Sequence, residues 1–574
     1  MGTVMHVFER WLQEGSIPNK LQNELKLISH TREEIEDRFY QYLSFGTGGM
    51  RGLLGAGTNR MNLYTIRRVA EGLAQQIIAS GEVAMHRGVV IAYDTRHYSY
   101  DFALETAKTV GKHGIRVFLF KESRPTPELS FAMRQLNAFA GVVITASHNP
   151  AQYNGFKVYG EDGGQLPPDA ADGIVQHMAA IEDLFTIQTA DEEELLQNGM
   201  LTYILEDIDE TYQECLLTLR EDAEAIEANG KDMSIVYTPL HGSGLVPVTE
   251  GLRNFGFPTV HVVPEQAVQD SRFPTVVYPN PEEREAFELA IKLGKENGAD
   301  LLLATDPDAD RLGVAVKNPD GEYELLTGNQ LGALLLHYLL MQKKRRATLP
   351  ENGVVMKTIV TSEFGRAVAA KFEIPAINTL TGFKFIAKKI EEFEKSGEYE
   401  FLFGYEESYG FLIGTFVRDK DAVQAALLTA EMAAYYKSIG KSLYDGLMDL
   451  YDELGHYREA LESLTLSGKN GQEKIAGIME ELRNNPPISI TCVAVSAIED
   501  YQAGTRRFGD GTIEKLTLPK ADVLKFLLED DSWVCVRPSG TEPKCKFYFG
   551  VRKDTAEEAE MSLRALSLDF MNRF

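Results

Sequence analysis

Three stretches of the chain repeat one order of elements, a buried strand, a helix and a second strand. In the first stretch, apolar runs at 89–92 and 117–120 flank a helical pattern at 99–113. The same order recurs at 234–263 and again at 354–381. Strands that alternate with helices predict parallel or mixed sheets with the helices packed outside. We therefore predict three α/β modules that share a topology, although their sequences are not visibly alike.

The two ends of the chain depart from this plan. Apolar residues recur at helical spacing between Val7 and Phe39, which predicts helices before the first module. After the sequence NNPP at 484–487, short strand-like runs at 488–495 and 533–536 precede a final helix. This order predicts a smaller α+β module at the C-terminal end. A chain of 574 residues is too long for a single core, which agrees with several domains.

Charge and cysteine content exclude several classes of protein. The net charge of −27 speaks against nonspecific binding to nucleic acid, although a local cationic cleft remains compatible with it. The four cysteines form no C-x-x-C pair, so the sequence indicates neither a zinc site nor a disulfide framework. The most apolar run, at 331–341, is too short to span a bilayer. We expect a cytoplasmic protein with no membrane partner.

The sequence TASHNP at 145–150 follows the apolar run at 141–144, which is typical of a buried strand. In open α/β sheets, ligands bind beyond the carboxyl ends of the strands, and Ser147 would lie at such an end. A hydroxyl there is placed to accept or donate a phosphoryl group. The alternative is a plain strand-to-helix turn in which Ser147 and Asn149 cap backbone groups.

An acidic cluster, DPDADR at 306–311, follows the apolar run at 301–304. Three carboxylates at alternate positions can converge on one hard cation, and Pro307 prevents a helix. Arg311 and Lys317 stand where a calcium loop needs glycine and glutamate, so an EF-hand is excluded. Mg²⁺ fits better, since it takes few protein carboxylates and shares a phosphate oxygen. The alternative is a solvated acidic turn.

Three more polar segments complete the candidate site, and each alone is also compatible with a plain turn. The sequence FGTGGMRG at 45–52 predicts a flexible, glycine-rich loop that brings backbone amides and Arg51 to an anion. The sequence GYEESYG at 404–410 offers polar groups for sugar hydroxyls. The sequence RPSGTEPK at 537–544 combines a guanidinium, hydroxyls and glycine amides, which suit a phosphate.

The segments at 145–150, 306–311, 405–410 and 537–541 together resemble the four signature loops of the α-D-phosphohexomutases, in the family's order and over nearly the whole chain. The 45–52 loop and the length most resemble the branch that contains phosphoglucomutases and phosphopentomutases. The resemblance implies four domains around a central cleft, three with mixed or parallel sheets flanked by helices and a smaller C-terminal α+β domain. The implied limits are 1–205, 206–325, 326–455 and 456–574.

The resemblance also implies roles for individual residues. Ser147 would carry the phosphate and, with Asp306, Asp308 and Asp310, would hold Mg²⁺. His148 or Lys157 would handle the hydroxyl proton. Further residues that match positions lining the family's cleft and binding its substrates are Arg51, Thr381, Gly382, Lys384, Glu406, Ser408, Lys420, Arg537, Ser539, Gly540 and Thr541. Tyr405 departs from the pattern, because many hexose-specific members have glycine there.

The implied reaction is an intramolecular phosphotransfer that interconverts glucose 1-phosphate and glucose 6-phosphate, with glucose 1,6-bisphosphate as intermediate and activator. The two ends of glucose lie too far apart for one fixed group to shuttle a phosphate directly. A phosphoserine that phosphorylates the free end and is rephosphorylated from the other end meets this constraint. Phosphopentomutase or phosphomannomutase activity by the same mechanism is the alternative. The partners implied are small sugar phosphates, and we expect a monomer or a weak dimer.

Two other classes of protein share part of this pattern. A magnesium-dependent phosphatase would need the serine and the aspartates but no separate sugar and phosphate loops. A sugar-phosphate sensor would keep those loops but could lose Ser147 or the aspartates. All of these residues are present together, which favours the mutase.

Overall fold

The computed structural model of the protein describes residues 2–46, 48–466, 468–539 and 544–574. The chain divides into two compact units. The first comprises Met1–Thr327, Ala387–Glu398 and Ser408–Gly440. The second comprises Gly328–Ile386, Tyr399–Glu407 and Lys441–Phe574.

The first sheet of the first unit carries the serine segment. Its strand order is Gly49–Leu53, Tyr153–Tyr159, Ala140–Ile144, Val89–Tyr93, Val117–Phe120 and Leu201–Ile204. The last four strands in this order run parallel to one another. Both central strands, Val89–Tyr93 and Ala140–Ile144, are buried along their whole length, which explains why their sequences are continuous apolar runs.

The second sheet of the first unit carries the acidic segment. Its strand order is Tyr323–Leu326, Leu312–Lys317, Leu301–Thr305, Ile235–Thr238 and Val260–Val262. The last three strands are parallel, and the first two add to them as antiparallel strands. Leu301–Thr305 is buried throughout and ends directly before Asp306. The first unit also contains the short strand Gly410–Leu412.

The second unit contains two different kinds of sheet. In one, Gly353–Thr358 pairs in parallel with Ala376–Thr379 on one side and Glu400–Glu406 on the other. The other is antiparallel, in the order His456–Thr465, Lys544–Lys553, Trp533–Pro538, Leu524–Leu528, Val493–Asp500, Thr505–Phe508 and Ile513–Lys515, and Ser489–Ile490 also pairs with Val493–Asp500. The antiparallel sheet packs against helix Ala556–Met571 through a core that includes Phe526, Phe547 and Phe570.

Helices surround these sheets. The helices of the first unit are Gly2–Gln13, Asn19–Ile28, Arg32–Phe39, Leu63–Ala79, Glu82–Arg87, Ser99–Gly111, Thr126–Gln135, Pro168–Ala179, Glu192–Gln197, Glu206–Leu217, Ala223–Asn229, Leu245–Phe255, Pro264–Ala267, Glu288–Asn297 and Ala422–Ser438, with 3₁₀ turns at Leu184–Thr186, Gly230–Asp232 and Arg284–Phe287. Helix Phe383–Ser396 begins in the second unit and ends in the first. The remaining helices of the second unit are Gly328–Arg345, Phe364–Lys371, Leu443–Leu454, Gly468–Asn484 and Ala556–Met571.

The predicted fold class is confirmed, with three sheets that contain parallel strands followed by an antiparallel α+β module. One local prediction was wrong. The second half of the glycine-rich segment is a strand, Gly49–Leu53, which pairs antiparallel with Tyr153–Tyr159 and sets Arg51 opposite Gly155. The partner strand supplies the hydrogen bonds that this glycine-rich sequence does not favour by itself.

Candidate active site

Ser147 lies in the loop that follows strand Ala140–Ile144, and it is almost fully buried. Its backbone φ of +52° is unusual for a residue other than glycine. The side chain of Thr145 accepts a hydrogen bond from the Ser147 amide at 2.8 Å. Ser147 Oγ donates to Asp306 Oδ2 at 2.7 Å and lies 3.1 Å from His148 Nδ1. The structure therefore brings the predicted nucleophile against the first carboxylate of the acidic segment.

Asp306, Asp308 and Asp310 are buried, and each directs an oxygen into a cluster whose members lie within 4.8 Å of one another. The turn closes because Asp306 Oδ1 accepts the amides of Asp310 and Arg311, both at 3.1 Å. Among the described residues, Asp308 Oδ1 and Asp310 Oδ1 have no hydrogen-bond partner although both are buried. Buried carboxylate oxygens without a hydrogen-bond donor are suitable ligands for a hard divalent cation, so the cluster has the chemistry of a metal site.

Two lysines neutralise part of this negative charge. Lys157 Nζ lies 3.0 Å from Asp308 Oδ2 and 3.6 Å from Asp310 Oδ2. Lys420 Nζ lies 3.1 Å from Asp310 Oδ2. Lys157 is on strand Tyr153–Tyr159, while Lys420 precedes helix Ala422–Ser438. Both predicted cationic residues therefore lie within ion-pair distance of the acidic cluster.

Burial and the neighbouring charges shift the pKa values of Asp306, Asp308 and His148 in different directions. Burial first, and then the charges of Asp308 and Asp310, raise the pKa of Asp306 well above its usual range. Burial opposes ionisation of Asp308 as well, but Lys157 lowers the pKa of Asp308 below its ordinary value. Burial, together with the positive charges of Arg311 and Arg51, lowers the pKa of His148. His148 is consequently neutral near pH 7 and offers a nitrogen lone pair.

Arg51 is on the edge strand and reaches the serine loop. Its Nη1 donates to Asn149 Oδ1 at 2.9 Å. Arg51 is exposed, so its guanidinium remains accessible to an anion. Ser408, the other predicted residue of the first unit, follows strand Glu400–Glu406 and is partly buried.

The second unit holds the remaining predicted residues. Glu406 ends its strand, and its Oε1 accepts the Gly382 amide at 2.8 Å, which couples it to the Thr381-Gly382 turn. Lys384 is largely buried in the first turn of helix Phe383–Ser396. Arg537 is at the end of strand Trp533–Pro538.

The phosphate segment is described only in part. The Ser539 amide donates to the Lys544 carbonyl at 2.7 Å. Gly540 and Thr541 lie outside the described residues.

Tyr405, where many hexose-specific members of the family have glycine, has its side chain in the interior of the second unit. Its side chain is fully buried within the second unit. Its ring occupies the space beside Gly332, where a Cβ would come within 2.3 Å of it, and its hydroxyl lies close to Gly365. Two glycines on helices Gly328–Arg345 and Phe364–Lys371 make room for this ring. Tyr405 therefore belongs to the core of the unit.

Sequence reasoning missed three buried polar residues that support the site. Thr126 Oγ1 donates to Asp308 Oδ2 at 2.9 Å, and its amide donates to the Asp308 carbonyl. Asp94 and Arg96 follow strand Val89–Tyr93, which lies beside the strand that carries Ser147. The available signal was a pair of charged residues directly after a wholly apolar strand, the position where α/β sheets bind ligands.

Comparison with known proteins places these segments in one family. The chain matches, in order, Phosphoglucomutase/phosphomannomutase alpha/beta/alpha domain I at 42–184, domain II at 210–321, domain III at 327–454 and the C-terminal domain at 489–565. The chain belongs to the phosphoglucomutase/phosphomannomutase family. The family assignment makes it an enzyme of the isomerase and phosphotransferase type, and it supports a divalent metal at the aspartate cluster.

Two curated relatives and one solved structure illustrate the similarity. A phosphoglucomutase of Staphylococcus haemolyticus is 38% identical over 536 residues, which is 93% of this chain and 95% of the relative. A phosphoglucomutase of Staphylococcus epidermidis is 39% identical over 530 residues, 92% of this chain and 94% of the relative. The fold resembles that of parafusin, a phosphoglucomutase from Paramecium in its open form, with a TM-score of 0.68, 18% identity, and 92% of this chain and 93% of that chain covered.

No helix in the described part of the chain is both long enough and apolar enough to cross a membrane.

Proposed function

We propose that this enzyme is a phosphoglucomutase that interconverts glucose 1-phosphate and glucose 6-phosphate through a phosphorylated Ser147 and glucose 1,6-bisphosphate. The hydrogen bond from Ser147 Oγ to Asp306, within a buried cluster of three aspartates, carries this proposal. The relatives named phosphoglucomutase support glucose as the sugar. Each matched family region falls inside one of the predicted domains, and we propose 1–205, 206–325, 326–455 and 456–574 as their limits.

The reaction begins with phosphoserine. The free hydroxyl of the bound sugar phosphate attacks phosphorus, the bond from phosphorus to Ser147 Oγ breaks, and glucose 1,6-bisphosphate forms. After the sugar turns over, Ser147 Oγ takes the other phosphoryl group and releases the product. Mg²⁺, held by Asp306, Asp308, Asp310 and a Ser147 oxygen, would offset negative charge on the group being transferred.

Two side chains compete for the role of proton acceptor. His148 Nδ1 is at hydrogen-bond distance from Ser147 Oγ, whereas the Lys157 ammonium is paired with Asp308. We therefore assign the proton transfer to His148 and a charge-balancing role to Lys157, with Lys420 and Arg51 as further cations near the transferring group. The residues that would bind the sugar are Thr381, Gly382, Lys384, Glu406 and Ser408. Those that would bind the phosphate that does not react are Arg537, Ser539, Gly540 and Thr541.

The first test compares substrates. Coupled assays should run on glucose 1-phosphate, mannose 1-phosphate and ribose 1-phosphate, each with glucose 1,6-bisphosphate and Mg²⁺. We expect glucose 1-phosphate to have the highest kcat/KM. A higher value for ribose 1-phosphate would replace the proposal by a phosphopentomutase. Release of inorganic phosphate without isomerisation would replace it by a phosphatase.

The second test addresses the nucleophile. Intact-mass spectrometry after incubation with the bisphosphate should find one phosphate on the wild type and none on Ser147→Ala, which should be inactive in both directions. Ser80→Ala is the matched control, since Ser80 caps an exposed helix end by donating to the Gln76 carbonyl. Turnover by a folded Ser147→Ala protein would refute the covalent mechanism.

A further inference from the structure

The loop that carries Ser147 holds an unusual backbone conformation without regular hydrogen-bond pairing. The φ of +52° at Ser147 places a non-glycine residue in the left-handed region, which costs free energy unless the surroundings enforce it. Pro150 contributes no amide donor of its own. Turn bonds within the segment satisfy the carbonyls of Ala146 and Pro150, but the buried carbonyl of Ser147 needs a donor from elsewhere in the molecule.

The Arg96 side chain supplies donors to four carbonyls in and after the loop. Its guanidinium donates to the carbonyls of Ser147 at 2.6 Å, Pro150 at 2.8 Å and Tyr153 at 3.1 Å, and also to that of Asn149. Arg96 is only 3% exposed, and its bond to the Ser147 carbonyl is buried. The planar guanidinium has five N–H donors in a rigid fork, which a lysine cannot imitate.

Asp94 contacts Arg96 and also contacts Thr145, the residue whose side chain accepts the Ser147 amide. Its Oδ1 accepts the Arg96 amide at 2.9 Å, and its Oδ2 lies 3.2 Å from Arg96 Nε. The same Oδ2 accepts the Thr145 hydroxyl at 2.7 Å, and Thr145 in turn accepts the Ser147 amide. Arg96, at the end of the neighbouring strand, thus holds the Ser147 carbonyl, and Asp94 holds the Thr145 side chain that accepts the Ser147 amide.

The ring of Phe273 closes the other side of the guanidinium. Its centroid lies 5.0 Å from Arg96 Cζ, within the range of a cation–π interaction. Phe273 is buried and has a φ of +48°, so its own backbone is also held in an uncommon conformation. The arginine is therefore enclosed between a carboxylate, an aromatic ring and the carbonyls of the serine loop.

We propose that Arg96 is a positioning residue for phosphoryl transfer, a role that rests on the function proposed above for Ser147. Arg96 holds the Ser147 carbonyl while Thr145 holds the Ser147 amide. Together they set the direction in which the Ser147 side chain projects from the backbone. Transfer requires the reacting atoms to be aligned in contact, and a misplacement of about 1 Å costs on the order of 100-fold in rate. Arg96 is not among the residues proposed to bind the substrate, so we expect the effect in kcat rather than in KM.

The test compares Arg96→Lys and Arg96→Ala with the wild type. We expect kcat per folded molecule to fall by about 100-fold in both, with KM for glucose 1-phosphate little changed. Single-turnover phosphorylation of Ser147 by glucose 1,6-bisphosphate, followed by intact-mass spectrometry, should slow to the same extent. Guanidinium at tens of millimolar should partly restore Arg96→Ala, whereas ammonium should not.

Arg60→Lys is the matched control. Arg60 is also a buried arginine, and its guanidinium pairs with Asp37 and the Asn59 carbonyl. We expect that substitution to lower stability without changing kcat per folded molecule. If Arg96→Ala does not fold, Arg96→Lys and Phe273→Leu carry the test, and Phe273→Leu should also lower kcat without raising KM.

Different results would contradict the positioning role and the proposed function. Wild-type kcat per folded molecule in the Arg96 variants would overturn the positioning role, because any activity loss would then come only from a smaller folded fraction. An equal rescue by ammonium and guanidinium would also overturn it. A wild-type protein that isomerises none of the sugar phosphates would instead refute the proposed function, while slowed phosphorylation of Ser147 would still support the role of Arg96.

Discussion

Asp308→Asn separates the charge of the acidic cluster from its shape. The ligand oxygens of the three aspartates lie within 4.8 Å of one another. At that separation, and with an effective dielectric constant of about 20, each pair of charges repels by roughly 3.5 kcal/mol. Asp308 has one such pair, with Asp310, because the raised pKa of Asp306 favours the neutral form of that carboxyl in the protein without metal. Its attraction to Lys157 across 3.0 Å is roughly 5.5 kcal/mol on the same scale.

The attraction to Lys157 exceeds the repulsion from Asp310 by roughly 2 kcal/mol in the protein without metal. We therefore expect Asp308→Asn to change the free energy of unfolding of the first unit by no more than about 2 kcal/mol in the absence of Mg²⁺. The amide is close in shape to the carboxylate and keeps an oxygen that can accept from Thr126 and Lys157. The large effect should come when metal is added. A ligand at 100 times its Kd stabilises the state that binds it by about 2.7 kcal/mol, and the variant should lose most of this gain.

The measurement is thermal unfolding over a titration of Mg²⁺, combined with kcat at each concentration. At about 100 times Kd the wild-type midpoint should rise by roughly 3–4 °C, and that of Asp308→Asn by far less. The kcat of the variant should fall by roughly 100- to 1000-fold, because the lost interaction grows in the transition state. Asp320→Asn is the control, since Asp320 is an exposed turn residue of the same sheet region. An unchanged Mg²⁺ response with wild-type rates at limiting metal would refute the assignment of the cluster.

Three further predictions concern the second unit. Arg537→Ala should raise KM and also lower kcat, because the non-reacting phosphate positions the rest of the sugar; steady-state kinetics with unchanged constants would contradict the phosphate role. Glu406→Gln should lower kcat/KM for glucose 1-phosphate by roughly ten- to a thousandfold and leave the mannose-to-glucose ratio nearly unchanged, since C3 and C4 hydroxyls are presented alike in both orientations of the sugar; a sharp shift in that ratio would mean that Glu406 contacts the C2 hydroxyl. Burial raises the pKa of Glu459 to about 7, so its contribution to stability is present below the ordinary pKa and is lost as pH rises through 7. Urea unfolding can be followed by Trp533 fluorescence in a background with Trp11 replaced by Phe. The free energy of unfolding should fall by up to roughly 3 kcal/mol between pH 5 and 8 with Glu459 present, and this decrease should be absent in Glu459→Gln. An equal decrease in both proteins would contradict the assignment.

Much of the fold followed from local patterns in the sequence. The apolar runs before TASHNP and DPDADR predicted buried strands, and the structure has Ala140–Ile144 and Leu301–Thr305 there. Such runs are informative because a strand covered on both faces has no polar positions to alternate with. Loops that follow these strands carry the polar residues of the site, so their identities could be read directly from the chain.

Other features depended on pairings between distant parts of the chain. The glycine-rich segment at 49–53 reads as a loop, but it is a strand because Tyr153–Tyr159 supplies its partner. Tyr405 occupies a position in a signature segment, yet its ring is buried because Gly332 and Gly365 leave room for it. A sequence pattern records what a residue prefers, whereas these outcomes depend on which neighbour arrives beside it.

The support of the nucleophile shows this division most clearly. The sequence by itself determined that Ser147 follows a buried strand and that three carboxylates follow another. Only the tertiary structure decided that Ser147 Oγ meets Asp306, that Lys157 meets Asp308, and that Arg96 holds the serine loop. Val89–Tyr93 lies beside Ala140–Ile144 in the sheet, although Arg96 and Ser147 are 51 residues apart in sequence. Strand order is set by packing and loop closure across the whole domain, so no local pattern around residue 96 could reveal which loop its guanidinium would hold.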